Sequence, residues 1–573
     1  MDINLDCNKV DQYKVHQYKA DQYKKESLEM IVQGRDLPWL LGQWVKRQPD
    51  KVFLIWAATE QSNQAESSDR QWTYAQFDIA VRRVATGLQS LGLKKDQRLL
   101  IHMENSPEFL ITYFACALLG VVSVITNTRS VARELKQSIA LTQVAGIVTQ
   151  DLFLPLFDEL DAELGAEIDN PLFIVSSATP GESLCAKSKK STADQPASPS
   201  TEPAAHQVNI RFNDLLEHDP VNEPRKPDPH RDLRVQFTSG TTSQPKAVLS
   251  THANALFAAQ QTALGYGLTS NDVCQVFVPL FHTNGLSTLV TSTLWVGGTV
   301  LLQRKFSASN FWRPALTYGA TWTCLPGAFF IHALQQHPVP AHHFRFWIAN
   351  CSPEVARNFA ITVRGHWGMT EMVTLPILDD PHHPSPVGSI GRPAASIEVA
   401  VRNETGQACQ AGEVGALFVR GCRGISLFKE YLNNPQETAN SFDAEGWFIT
   451  GDRVRIDADG YLFFEDREKD LLRVGGENVA ASEIEAVIRQ SGWVAECAVV
   501  GQKHPMLDEV PVAFVIPNAD APTDLKEKLI DHCRQQLADF KQIRDVHIVD
   551  DFPRAALQKI AKYKLREQLS VIV

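Results

Sequence analysis

The sequence predicts an α/β protein, with a large N-terminal domain of parallel-sheet α/β subdomains and a β-rich subdomain, followed by a small α+β C-terminal domain. Three observations carry this expectation. From about residue 72 to 150, helical patterns such as 80–92 alternate with short apolar runs such as 98–101 and 121–125, as βαβ units do, and 251–372 repeat the alternation. After about residue 393 the texture changes to alternating strands and glycine turns, as in 397–401 and 416–419. From about 468, a helix at 481–489, strands at 496–500 and 512–516 and a helix at 524–537 make a compact unit.

At 573 residues the chain is too long for one core, since domains run to about 100 to 200 residues each. Residues 11–24 repeat DQYK, HQYK, DQYK every five positions, matching neither helix nor strand, so 1–32 read as a low-complexity, disordered extension. Residues 33–467 read as the N-terminal domain. Within it, 179–207, rich in Ser, Ala, Pro and Lys, cannot bury enough apolar surface to order itself and reads as a flexible insertion. The apolar stretch 109–125 is interrupted by Thr112, Tyr113, Gly120 and Ser123 and falls short of the roughly 20 residues that span a bilayer. It predicts a buried helix running into a buried strand, with no transmembrane segment. Residues 468–573 read as the C-terminal domain.

Composition narrows the partners. A formal net charge of −11 without a basic run argues against a nucleic-acid surface, which needs clustered Lys and Arg. Ten cysteines without a CxxC pair indicate neither a disulfide framework nor a zinc site. The first ten residues hold Asp2 and Asp6 and no apolar block, so no ordinary secretory leader is expected. The expected compartment is the cytoplasm. Oligomeric state stays open, a homo-oligomer included.

The segment Thr238, Ser239, Gly240, Thr241, Thr242, Ser243, Gln244, Pro245, Lys246 suits a polyphosphate. Its hydroxyls donate, Gly240 lets backbone N–H groups approach, and Lys246 adds a compact positive charge. Leu233, Val235 and Phe237 alternate as a strand, so the loop is expected to leave a sheet. It is not a Walker loop, because Pro245 precedes the lysine and an apolar stretch, 247–249, follows it where a helix should. Four more segments belong with it. Residues 366–371 place Trp367, Gly368, Thr370 and Glu371 in one short turn; 446–452 end a strand in a tight turn with an exposed acid, Asp452. Residues 466–479 hold Arg467, Lys469, Asp470, Gly475, Gly476, Glu477 and Asn478, and 553–559 end in Lys559. Singly, each has a structural reading: Asp452 caps a turn, Glu371 pairs with an arginine, Lys559 is solvated.

Together and in order, they resemble the adenylate-forming superfamily of acyl-CoA synthetases, adenylation domains and luciferases. The similarity covers about 72–565. Residues 305–312, 428–431 and 475–479 look closest to carnitine- or betaine-type CoA ligases. The resemblance implies ATP-dependent activation of a small-molecule carboxylic acid to acyl-AMP, followed by thioester formation with coenzyme A. It also makes the C-terminal domain a mobile lid. Lys559 is then the lysine bridging the substrate carboxylate and the α-phosphate, where negative charge develops. Thr370 contacts phosphate, and Glu371 holds the Mg2+ that bridges phosphate oxygens. Asp452 accepts the ribose hydroxyls and Arg467 joins it. Trp367, or the backbone of Asn350, Cys351 and Ser352, lies against adenine. Gly475 and Gly476 let the pantetheine arm pass, and Lys469 stands at the hinge. Residues 279–285 and 324–330 line the acyl pocket, with His282 at an aromatic gate position; relatives that adenylate amino acids tend to carry an aspartate there. The other reading of His282 is a satisfied buried imidazole.

Ser243 and Gln558 stand where the family prefers glycine, and 539–543 lack a proline common after the lysine. Two other readings stay open: an adenylating enzyme that passes the acyl group to an amine or a carrier-protein thiol, and a catalytically weak regulatory relative.

Overall fold

A computed structural model describes residues 26–58, 69–164, 173–177, 208–222, 225–238, 246–326, 328–349, 353–380, 383, 385–467, 471–553, 560 and 562–571. Two mostly parallel sheets dominate the N-terminal part. In the first, the strands Thr362–Arg364, Phe346–Ile348, Trp322–Cys324, Val273–Val276, Thr299–Gln303 and Val52–Ala57 run parallel, and Arg70–Thr73 adds an antiparallel edge. In the second, Asp232–Thr238, Val122–Ile125, Arg98–His102, Gly146–Gln150, Phe173–Ser177 and Val208–Arg211 are parallel, and Lys246–Thr251 and Glu430–Tyr431 close the end antiparallel.

The stretch 109–125 behaves as its composition demands. Ser106 caps the helix Pro107–Leu119, its hydroxyl accepting from the Phe109 amide, and Gly120 ends it at φ 73° before the strand Val122–Ile125. A helix apolar nearly all round has to be covered on every side. It is, within one core running from Leu28 to Leu462 that takes in both sheets. No helix among the described residues is long and apolar enough to cross a membrane.

The strand Asp232–Thr238 departs from the half-buried pattern. Leu233 and Val235 are buried, but so are Arg234 and Gln236 on the other face. The polar pair is accommodated by hydrogen bonds, since a buried donor without a partner is costly. Arg234 donates to Tyr113 Oη at 3.3 Å and Ser287 Oγ at 2.5 Å, and Gln236 donates to the Phe281 carbonyl at 2.8 Å.

The β-rich part is an antiparallel seven-stranded sheet, including His366–Trp367, Ile377–Leu378, Phe448–Ile456 and Leu462–Arg467. It corrects one expectation. Asp452 does not sit exposed at a turn: it lies inside the strand Phe448–Ile456 and is 5% exposed. The tight turn comes earlier, where the Gly446 amide donates to the Asp443 carbonyl.

The C-terminal unit is a five-stranded sheet holding Leu471–Val474, Glu477–Ala480, Val494–His504, Asp508–Pro517 and Asp545–Ile548, with the helices Ala481–Gln490, Leu525–Gln536 and Lys562–Val571. It has its own cores, one spanning Leu472 to Val546 and one spanning Ala498 to Leu569.

Candidate active site

A cleft of about 940 Å³ opens between the N-terminal sheets, the β-rich sheet and the C-terminal unit. Thr238, Lys246, His282, Trp367, Gly368, Thr370, Glu371, Asp452, Gly476 and Glu477 all line it. Sequence positions more than 200 apart therefore share one space.

At one corner, antiparallel pairing of His366–Trp367 with Ile377–Leu378 sets the indole of Trp367 inward. Its Nε1–H donates to Asp452 Oδ2 at 2.8 Å, which explains how an acid can be buried there. Asp452 stands directly opposite Arg467 in the strand register. Beside Trp367, burial pushes the pKa of His366 down to about 4, so its ring is neutral.

The second corner is anionic and cationic together. Thr370 and Glu371 sit in a 3₁₀ turn at Thr370–Met372, held by the Phe428 amide donating to the Glu371 carbonyl at 2.9 Å. Tyr431 Oη donates to Glu371 Oε1 at 2.8 Å. Burial, and then the Glu371 carboxylate, raise the Tyr431 pKa, so the phenol keeps its proton and acts as a donor. Lys246 is ion-paired with Glu437 and lies 4.9 Å above the Tyr431 ring. Thr238 and Lys246 are cross-strand partners, and both line the cleft.

The third corner joins the two parts of the chain. His282 Nε2 lies 3.1 Å from Glu477 Oε1 across the cleft. Burial works against the charged imidazole, but the Glu477 carboxylate outweighs it and the His282 pKa is raised; the Glu477 pKa is lowered in turn, the charge of His282 overcoming burial. Two glycines present Glu477. Gly475 and Gly476 have φ of 58° and 88° and form the two-residue turn between Leu471–Val474 and Glu477–Ala480, where left-handed backbone at both positions matches the strand twist. No atom lies within 4 Å of a Cβ added at Gly476, so positive φ rather than crowding accounts for that glycine.

No group of three or more His, Cys, Asp and Glu that could hold a metal occurs among the described residues. Glu371 and Thr370 offer one carboxylate and one hydroxyl. That set fits Mg2+, which is usually held by one or two carboxylates with waters and substrate phosphates completing its shell.

The AMP-binding enzyme family matches residues 41–432, and its C-terminal domain matches 483–559. The chain belongs to the AMP-binding enzyme family. Among curated relatives, the crotonobetaine/carnitine–CoA ligase of Salmonella heidelberg (strain SL476) is 30% identical over 548 residues, covering 94% of this chain and all of the relative. Among solved structures, a double mutant of o-succinylbenzoate CoA synthetase from Bacillus subtilis bound to its product analogue OSB-NCoA overlays with a TM-score of 0.76 at 24% identity, over 93% of this chain and 99% of that one. The same synthetase in complex with its acyl-adenylate intermediate overlays at 0.62, also at 24% identity, over 93% and 98%. This member of the AMP-binding enzyme family is an acyl-CoA ligase, with ATP and coenzyme A as co-substrates.

Ser239, Gly240, Thr241, Thr242, Asn350, Cys351, Lys469 and Lys559, with Ser243 and Gln558, lie outside the described residues, and Arg467 is placed through its backbone. Tyr431, Glu437 and Glu477 had no assigned role in the sequence reading. The Gly-Gly turn before Glu477 was the one local signal; its partner is 195 residues away.

Proposed function

We propose that this ligase activates a small carboxylic acid of the betaine type, carrying a quaternary ammonium group, and that its two half-reactions use two orientations of the C-terminal unit. Similarity to the Salmonella ligase over 94% of the chain supports the substrate class. The division is an N-terminal domain, 33–467, a hinge at Lys469, and a lid, 468–573.

In the first half-reaction a carboxylate oxygen attacks the α-phosphorus of ATP, the α–β bridging bond breaks, and pyrophosphate leaves. The enzyme's part is positioning and charge neutralisation. Asp452, kept in place by Trp367, accepts the ribose hydroxyls, with Arg467 beside it. Lys246 and the hydroxyls of 238–242 hold the β- and γ-phosphates, Lys246 exchanging Glu437 for phosphate. Thr370 contacts phosphate and Glu371 holds Mg2+, which neutralises phosphate charge when bound. Lys559 bridges the carboxylate and the α-phosphate. In the second half-reaction the sulfur of coenzyme A, its proton passing to solvent, attacks the acyl carbon, the bond from that carbon to the phosphate oxygen breaks, and AMP leaves. Gly475 and Gly476 then border the thiol's path, and His282, its pKa raised by Glu477, is a gate.

The observation that carries the reading is the His282–Glu477 contact, which brings the Gly-Gly turn of the C-terminal unit into the cleft that holds Asp452 and Glu371. The higher overlay with the product-analogue complex than with the adenylate complex of one synthetase supports taking this arrangement as the thiol-transfer one. Seven free cysteines among the described residues fit work in the cytoplasm.

Lys559→Ala tests the assignment. Adenylation, followed as pyrophosphate release, should fall by about 100-fold or more, while thioester formation from supplied acyl-adenylate survives. An equal loss in both halves means that Lys559 has a different role.

A further inference from the structure

On another wall of the same cleft, the C-terminal unit meets the N-terminal part through a compact set of charges at Asp539–Lys541. Lys541 Nζ donates to Glu134 Oε1 at 2.7 Å and to Glu483 Oε1 at 2.9 Å. Glu134 belongs to the N-terminal helix Ala132–Thr142, whereas Glu483 belongs to the C-terminal helix Ala481–Gln490. The side chains are nearly dry, at 14% exposure for Lys541, 7% for Glu134 and 11% for Glu483. Next to them Arg129 pairs with Asp539 at 2.7 Å, at 39% and 67% exposure, and its guanidinium lies 4.4 Å from the centre of the Phe540 ring. Arg133 Nε donates to the Gln536 carbonyl at 3.4 Å.

The polarity of the two cross-domain pairs is reciprocal. The N-terminal part contributes a cation and an anion, Arg129 and Glu134, and the C-terminal unit contributes their complements, Asp539 and Lys541. Two opposed pairs favour one relative placement, because exchanging their positions would set like charges face to face. The cluster is also poised to let go. Lys541 has Glu483 as a partner within its own unit, so undocking leaves a neutral pair there. Glu134 keeps an N-terminal role, its second oxygen accepting from the Val131 amide at 3.3 Å. Docking places a second carboxylate against one ammonium, and in that setting the Glu483 pKa is raised by burial and by Glu134 against the pull of Lys541. Such an arrangement specifies geometry more than it adds stability.

We propose that Glu134, Lys541 and Glu483, flanked by Arg129 and Asp539, form a latch that holds the C-terminal unit in the thiol-transfer orientation, making Lys541 a positioning residue for the second half-reaction. The inference rests on the two-orientation reading above.

Two measurements on the full chain test it. Hydrogen exchange without any ligand reports docking directly: Lys541→Met should speed exchange in 129–138 and 536–544 and leave 484–499, inside the unit's own core, unchanged. In the half-reactions the same variant should keep pyrophosphate release within about two-fold, and lose about ten-fold or more of thioester formation from supplied acyl-adenylate. The exposed pair gives a swap: Arg129→Asp and Asp539→Arg should each cost thioester formation about two- to five-fold, and the double variant should recover most of it. An equal fall in both half-reactions, unchanged exchange at 129–138, or a double variant no better than the singles overturns the latch. If Lys541→Met also speeds exchange in 484–499, the unit itself has loosened and the swap decides. A wild-type chain that forms no thioester overturns the two-orientation reading, while the exchange comparison still decides whether these residues dock the unit.

Discussion

Glu371 accepts a hydrogen bond from the Tyr431 phenol beside it. The phenol is buried against a carboxylate, both of which raise its pKa, and its 2.8 Å hydrogen bond fixes one carboxylate oxygen. Partners that orient a metal ligand commonly affect metal affinity by about 10- to 100-fold. Tyr431→Phe should therefore raise the Mg2+ concentration needed for half-maximal pyrophosphate release by about ten-fold or more, with little change in acid KM. A Mg2+ titration of the variant checks this, and an unchanged midpoint contradicts the role given to Glu371. Residue identities at this corner were readable in the chain: Thr370, Glu371 and Lys246 all line the cleft. Their partners were not. Tyr431 is 60 residues from Glu371 and Glu437 is 191 from Lys246, and nothing in a local pattern encodes such pairings.

Among the elements, the strand–turn–strand around Gly475 and Gly476 was not foreseen, only its two glycines, whereas the strand Asp232–Thr238 was legible because the alternation of Leu233, Val235 and Phe237 is local. The burial of Asp452 was not, since a strand interior and a turn end look alike until the Trp367 indole supplies the donor. The wall carrying His282 adds a tighter constraint. It leads into the π-helical segment Asn284–Thr291, and a Cβ on Gly285 would lie 2.3 Å from the Pro279 carbonyl oxygen, so the turn and the helix start touch backbone to backbone. Asn105 braces the same wall, accepting from the Leu280 amide at 2.8 Å and donating to the Val278 carbonyl at 3.1 Å. Gly285→Ala should push the wall away from its position, lowering stability by about 1–3 kcal/mol and weakening acid binding more than ATP binding. Thermal unfolding together with KM values for both substrates measures it; an unshifted Tm and an unchanged acid KM contradict the packing argument.

Across the whole molecule, alternating βα patterning announced the parallel-sheet subdomains, the change to strands and glycine turns announced the β-rich sheet, and the helix and strand patterns after 468 announced the C-terminal unit. How the C-terminal unit docks was beyond a sequence reading, since it depends on His282 meeting Glu477 and Lys541 meeting Glu134, pairs 195 and 407 positions apart. The first pair makes docking pH-dependent. His282 has a raised pKa in the docked state, so its contribution is complete below the ordinary histidine value of 6.5 and is lost as pH rises through the raised value. Glu477 has a lowered pKa, so its contribution is complete above the ordinary value of 4.5 and is lost as pH falls through the lowered one. Thioester formation from supplied acyl-adenylate should thus lose a docking-dependent component above the His282 pKa, and His282→Gln should flatten that limb; an identical pH profile for the variant contradicts it.

The chemistry as a whole is tested most directly by incubating the chain with ATP, Mg2+ and a carboxylate panel that includes crotonobetaine and carnitine, with and without coenzyme A, and following AMP, pyrophosphate and thioester together. The expected result is AMP, pyrophosphate and acyl-CoA in equal amounts, turnover that depends on coenzyme A, and preference for the quaternary-ammonium acids. Pyrophosphate release indifferent to coenzyme A, with the acyl group passing instead to an amine or a carrier-protein thiol, would contradict the ligase account.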